Sequence, residues 1–178
     1  SETSGKAPEG ENWAENKSKL RNFTYGDGKL YVVNAVDSKI YIINAQNGAK
    51  IGELNTESLS GGTLKVIDVN YLDGKVIATN LATTANSEEQ QLKVYVWDND
   101  NATPRVILNT SDLGGAIRLG DTFSLYGNLT TGKLYFAEGK ADTDTKVVSY
   151  EITDGVVSTK PTVLTVTDDG TIGVQFGL

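Results

Sequence analysis

With no His and no Cys among its 178 residues, this chain must draw any chemistry from carboxylates, amides, hydroxyls, amines, guanidinium groups and two indoles. The commonest general base and metal ligand is missing, and thiolate catalysis and thiolate zinc sites go with it. A Ser-His-Asp arrangement has no base to use. Carboxylate pairs remain, Asp142 with Asp144 and Asp168 with Asp169, but glycoside hydrolysis needs two carboxyl groups facing each other across a cleft. These pairs sit in turn-rich stretches, where Asp serves the backbone. The run DNDN, Asp98 to Asn101, sets oxygen ligands at short spacing for a weak calcium site. It lacks the Gly and the distal bidentate Glu of an EF-hand loop and reads better as a turn. No phosphate-cradling Gly-rich loop of the Walker type occurs. No catalytic residue, metal or cofactor is therefore assigned, and a non-enzymatic protein is expected.

The elements that would position any site are short strands, and they repeat. KIYIIN, KVYVWD and KVVSYE start at Lys39, Lys93 and Lys146 with nearly equal spacing, and such a period can decide a whole fold. Upstream of each lies a second match: GKLYVVN from Gly28, GKVIATN from Gly74 and GKLYFAE from Gly132. Further upstream lie LRNFTYGD, VIDVNYLD and FSLYGNLT, and downstream AKIGEL, PRVIL and TVLTV. Each repeat thus holds four strands: inner, second, third and outer. Strands joined by short Gly, Asn or Asp turns pair antiparallel, since a parallel return needs a long crossover.

The expected fold is all-β, made of antiparallel four-stranded meander repeats of the β-propeller kind, with a β-sandwich as the runner-up. Residues 1–17, polar and aperiodic, read as a flexible leader, and a start at Ser1 rather than Met reads as a mature or trimmed chain. Residues 18–178 read as one domain with repeats near 18–60, 61–113 and 114–166 and a partial fourth, 167–178, whose IGVQFGL supplies an inner strand. Three repeats and a strand fall short of the usual four to eight blades. A fragment, an open array and an array completed by a partner all remain open.

A meander delivers the end of its second strand and the starts of its third and inner strands to one face, where the longest loops also emerge. That face collects Asn34, Asn80 and Glu138, together with Lys39, Lys93, Lys146, Arg118 and Asp121. Such a polar ring could hydrogen-bond a sugar or a peptide, or it could serve the turns and protect strand ends. Trp13 and Trp97 are candidate stacking surfaces. Trp97 also reads as a residue packed between repeats, because Tyr95 and Trp97 leave their strand opposite to Val94 and Val96. The candidate ligand-binding set is Asn34, Asn80, Trp97, Arg118, Asp121 and Glu138.

A net charge of -7 repels phosphate backbones, so nucleic acid is not an expected partner. No apolar run approaches the roughly 20 residues of a spanning helix, so no insertion into a membrane is expected. The middle of the chain carries, in order, Gly61-Gly62, Asp73-Gly74, Asn80-Leu81, Trp97-Asp98, Pro104 and the step from Arg118 to Asp121. In these features it resembles a family of uncharacterised bacterial domains from secreted and surface proteins of Bacteroidetes and their relatives. The resemblance implies a propeller-like fold and an exported, cell-surface location. The function expected is a non-catalytic surface binding module for a glycan or a protein. The alternative is a structural segment of a larger propeller or of a homo-oligomer joined through exposed strand edges, and a carboxylate-dependent hydrolase stands third.

Overall fold

The computed structural model describes residues 13, 19–83, 90–139 and 145–166. Strands β1 (Leu20–Gly26), β2 (Lys29–Asn34), β3 (Lys39–Asn44) and β4 (Lys50–Glu53) form sheet 1 in the order β1-β2-β3-β4. Sheet 2 runs β5 (Leu64–Leu72), β6 (Lys75–Thr83), β7 (Leu92–Trp97) and β8 (Arg105–Thr110), with a two-residue strand β9 (Arg118–Leu119) added to the end of β6. Sheet 3 runs β10 (Phe123–Gly127), β11 (Gly132–Ala137), β12 (Thr145–Thr153) and β13 (Val156–Val157), and β14 (Thr162–Val166) also pairs with β12. All pairings are antiparallel. The fold is all-β, with three meander sheets, one per sequence repeat and none closed. Residues 167–178, the expected partial fourth repeat, lie outside the described residues.

Asp-Gly steps make the tight turns. Asp27-Gly28, Asp73-Gly74 and Asp154-Gly155 all have positive φ at both residues, the geometry of type I′ hairpins whose twist suits the flanking strands. Between β10 and β11 the turn is longer, and the Asn128 side-chain oxygen accepts from the backbone N–H of Thr130 and Thr131. The outer position of sheet 3 is shared by two segments: β13 pairs with Ile152 and Thr153, and β14 with Thr145 to Ser149.

The sheets stack through their side chains. Tyr31, Val33, Ile40 and Ile42 of sheet 1 meet Val69, Val76, Ala78, Tyr95 and Trp97 of sheet 2 in one buried cluster. Ile77, Val94 and Val96, on the opposite face of sheet 2, join Phe123, Leu134, Phe136, Val148 and Tyr150 of sheet 3 in another. Sheet 2 is thus covered on both faces, which is why β6 and β7 read as nearly continuous apolar runs. A small third cluster, Val32, Tyr41 and Ile43, lies on the free face of sheet 1, with Trp13 packed on it.

At the first interface Tyr31 stacks on Tyr71, ring centroids 5.6 Å apart. A Cβ at Gly26 would overlap the Tyr71 ring, whereas one at Gly28 would meet nothing. Gly28→Ala should therefore lose about 1 kcal/mol through its left-handed backbone alone. Gly26→Ala should lose roughly 1–3 kcal/mol through overpacking. Urea unfolding of both variants measures the difference, and equal losses would remove the packing role given to Gly26.

Candidate functional site

The inner strands begin with polar residues at matched positions, and these residues join the three sheets. Asn22 on β1 donates through Nδ2 to the carbonyl of Ile67 at 3.3 Å and to that of Asp121 at 3.1 Å, reaching both other sheets. On β5, Asp68 accepts from the Phe123 N–H and the Val69 N–H, each at 2.8 Å. Asn70 Nδ2 donates to the Phe123 carbonyl at 3.0 Å. Burial raises the Asp68 carboxyl to about 6, against the opposing pull of those N–H groups.

Arg118 to Asp121 threads between the ends of two second strands. Its β9 backbone pairs with Ala82 and Thr83 of β6, and the Gly139 N–H donates to the Arg118 carbonyl at 3.1 Å. Gly120, at φ 110, lies so close to the Asn80 carbonyl that a Cβ there would clash. The step is clamped by two hydrogen bonds, Arg118 Nε to Asp121 Oδ2 at 2.6 Å and Nη2 to Oδ1 at 2.5 Å. Asp121 is buried, so the planar guanidinium fork is its main compensation.

Asn34, Asn80 and Glu138 occupy equivalent buried positions and serve the connection that follows each second strand. Asn34 Oδ1 accepts from the Asp37 N–H, and its Nδ2 donates to Tyr41 Oη and Asp37. Asn80 Oδ1 accepts from the Lys93 N–H, and its Nδ2 donates to the Gln91 carbonyl. Glu138 accepts from the N–H groups of Lys146 and Ile117. Trp97 is fully buried between sheets 1 and 2 and donates Nε1 to the Asn55 carbonyl at 2.8 Å. That is the packed alternative of its two sequence readings. Asp98 pairs with Lys75 and Arg105, and Asp100 with Lys29 and the Tyr31 hydroxyl, so the DNDN run works as a turn. Asp142, Asp144, Asp168 and Asp169 lie outside the described residues.

Where the inner strands converge there is a cavity of about 490 Å³. β1 contributes Leu20, Arg21 and Asn22, β5 contributes Leu64 and Ile67, and the entry to β10 contributes Arg118, Asp121 and Thr122. Of the six sequence-derived residues the cavity gathers Arg118 and Asp121. Asn80 and Glu138 support its third wall from behind, and Asn34 and Trp97 line other regions. Arg21, which the repeat alignment passed over, is exposed at its rim. The signal for it was a cation on an inner strand where the second repeat has Ile67.

Among the described residues, then, fold and site define an all-β repeat protein with a polar cavity at the meeting point of its sheets. No family model and no curated protein matches the sequence. The structure is similar to the crystal structure of a DUF4623 family protein from Bacteroides eggerthii, with a TM-score of 0.69 and 20% sequence identity. The match covers 86% of this chain and 37% of that one, so the likeness concerns the fold of a part of the longer protein.

Two outcomes follow. Arg118→Ala should destabilise the protein by about 2 kcal/mol, the scale of hydrogen bonds to a charged group, and Arg118→Lys should recover only part of this because the fork is lost; calorimetry reads both. Asp68 binds its proton more tightly folded, at about 6, than at its ordinary 3.8. Its contribution to stability is therefore complete below pH 3.8 and is lost as pH rises through 6, by about 2–3 kcal/mol in total. Asp68→Asn should flatten that decline while lowering stability at acidic pH, since its amide cannot accept from both N–H groups. An unchanged pH profile in the variant would remove Asp68 as its source.

Proposed function

We propose that this chain is a non-catalytic binding module of the propeller type, whose cavity at the convergence of the inner strands takes a carboxylate-bearing group from an acidic glycan or an acidic peptide. The carrying observation is Arg21: its exposed guanidinium stands at the cavity rim with no carboxylate partner among the described residues. Arg118, by contrast, is committed to Asp121. A guanidinium fork matches a planar carboxylate in two parallel hydrogen bonds. Asn22 and Thr122 add polar groups beside it, and Leu20, Leu64 and Ile67 add apolar wall. Among the described residues no aromatic ring lines the cavity, so charge rather than stacking would select the ligand. Asp121 is the one carboxylate among the described lining residues and is held by Arg118, an arrangement that suits binding better than carboxylate-dependent hydrolysis.

The propeller reading draws on the repeated meanders, their serial stacking and the central meeting of the inner strands. The exported, cell-surface location rests on the motif resemblance, and fractionation of the source cells tests it. The alternative of a structural segment is favoured by apolar side chains on the two end faces of the stack.

Titrating the labelled chain with acidic oligosaccharides, their neutral counterparts and acidic peptides tests the binding reading. One acidic class should bind, the neutral sugars should not, and Arg21→Glu should abolish binding without changing the unfolding free energy by more than about 0.5 kcal/mol. Failure of every acidic ligand to bind the wild-type chain would refute it.

A further inference from the structure

Strand registers allow the three sheets to be superposed position by position. Tyr25 pairs with Leu30, Tyr71 with Val76 and Leu125 with Leu134; Phe23, Val69 and Phe123 are likewise matched through their partners on the second strands. In sheets 2 and 3 these positions face the preceding sheet, where Val69, Tyr71, Phe123 and Leu125 join the interface clusters. In sheet 1 the same positions are exposed: Phe23 is 67% accessible and Tyr25 63%. Among the described residues, therefore, the first sheet carries the inner half of a stacking interface with no sheet against it.

The outer half of that face is already dressed as at the other interfaces. The loop after β4 crosses sheet 2 so that Trp97 donates to the Asn55 carbonyl. The loop after β8 crosses sheet 3 so that Tyr150 donates to the Asp112 carbonyl at 2.6 Å. On sheet 1 Trp13 lies against Tyr41 and Ile43, in the place of those loops. At the far end of the stack, sheet 3 turns Tyr126 (73% accessible), Tyr135 and Leu164 (63%) outward. Tyr135 is the register equivalent of Tyr31, since the two follow Lys29–Leu30 and Lys133–Leu134 on matched second strands. Tyr31 and Tyr71 form the stacked pair of the first interface. The open ends thus present the same pair of residues, Tyr135 on one and Tyr25 on the other.

We propose that two copies of this chain join head to tail, the outward face of sheet 3 in each seated on the Phe23–Tyr25 face of sheet 1 in the other, with Tyr135 against Tyr25. A head-to-tail contact closes into a ring or runs on as a filament. Two copies of three sheets make a six-sheet ring, within the usual range of about four to eight blades. The pairing also covers side chains that would otherwise leave apolar patches on both end faces. It brings a further inner strand to the open side of the cavity, beside Arg21, but does not depend on the ligand.

Light scattering and sedimentation of the full chain across a wide concentration range should show a reversible dimer. Tyr25→Glu and Tyr135→Glu should each raise its dissociation constant at least tenfold while the chain keeps its unfolding midpoint. Because the protein has no Cys, mixing Tyr25→Cys with Tyr135→Cys gives a specific second test: the mixture should form a disulfide-linked dimer under mild oxidation, and neither variant should do so alone. A monomer at every concentration overturns the proposal, and so does self-linking of Tyr25→Cys, which would mean a back-to-back contact. A monomer whose Phe23 and Tyr25 amides lose hydrogen-exchange protection on removal of residues 167–178 would assign the face to the chain's own end and overturn it equally.

Discussion

Successive side chains leave a strand on opposite faces, and along most of β6 and β7 in sheet 2 neither face meets water. β7 carries this constraint in four residues: Tyr95 and Trp97 fill the interface with sheet 1 while Val94 and Val96 fill the one with sheet 3. A slip of one residue would exchange two aromatic rings for two small aliphatic groups on each side. It would also separate the Trp97 indole from the Asn55 carbonyl and the Tyr95 hydroxyl from the Ser60 carbonyl. The register of the middle sheet is therefore held from both directions, and the neighbouring sheets take their positions from it.

Apolar burial has no direction, so the angle at which the sheets meet depends on polar contacts along the inner strands. Asn22, Asp68 and Asn70 supply them by bonding to backbone groups of the following sheets. Backbone partners stand at fixed positions, so these bonds align the strands as well as satisfying buried groups. The raised Asp68 carboxyl is the consequence of taking a carboxylate out of water with N–H donors as its main compensation. The Arg118–Asp121 clamp does comparable work for the backbone passing between sheets 2 and 3, where Gly120 lets it approach Asn80.

Three of the six motif features behind the family resemblance, Gly61-Gly62, Asn80-Leu81 and the step from Arg118 to Asp121, gather in that place, while Asp73-Gly74, Trp97-Asp98 and Pro104 lie at the other end of sheet 2. A Cβ at Gly62 would strike the Leu81 carbonyl, to which the Thr63 N–H donates, and Asn80 and Arg118 to Asp121 lie alongside. Their sequence order reflects a packed crossing of backbone strands. Long connections that looked like binding loops behave similarly: Leu59 in one and Leu113 and Ala116 in the other are buried in the interface clusters. Side chains the sequence offered as a polar ring, Asn34, Asn80 and Glu138, are occupied by partners in and around their own connections, Glu138 also by the Ile117 N–H, and the cavity is formed instead by residues at the starts of the inner strands.

The four-stranded meander of each repeat, the hairpin positions and the two-sided burial of β7 were legible in the sequence because they arise from local rules: period-two alternation, Asp-Gly turns and a repeat of nearly constant length. The small strand β9, the division of the last outer strand into β13 and β14, and the convergence of Arg21, Asn22 and Asp121 were not, since each depends on where distant backbone segments come to lie. Amino-acid order determined that this protein would be a series of antiparallel meander sheets. Tertiary structure decided which polar side chains were left for a ligand, because a hydrogen-bonding group is free or occupied only according to the neighbours that stacking brings to it.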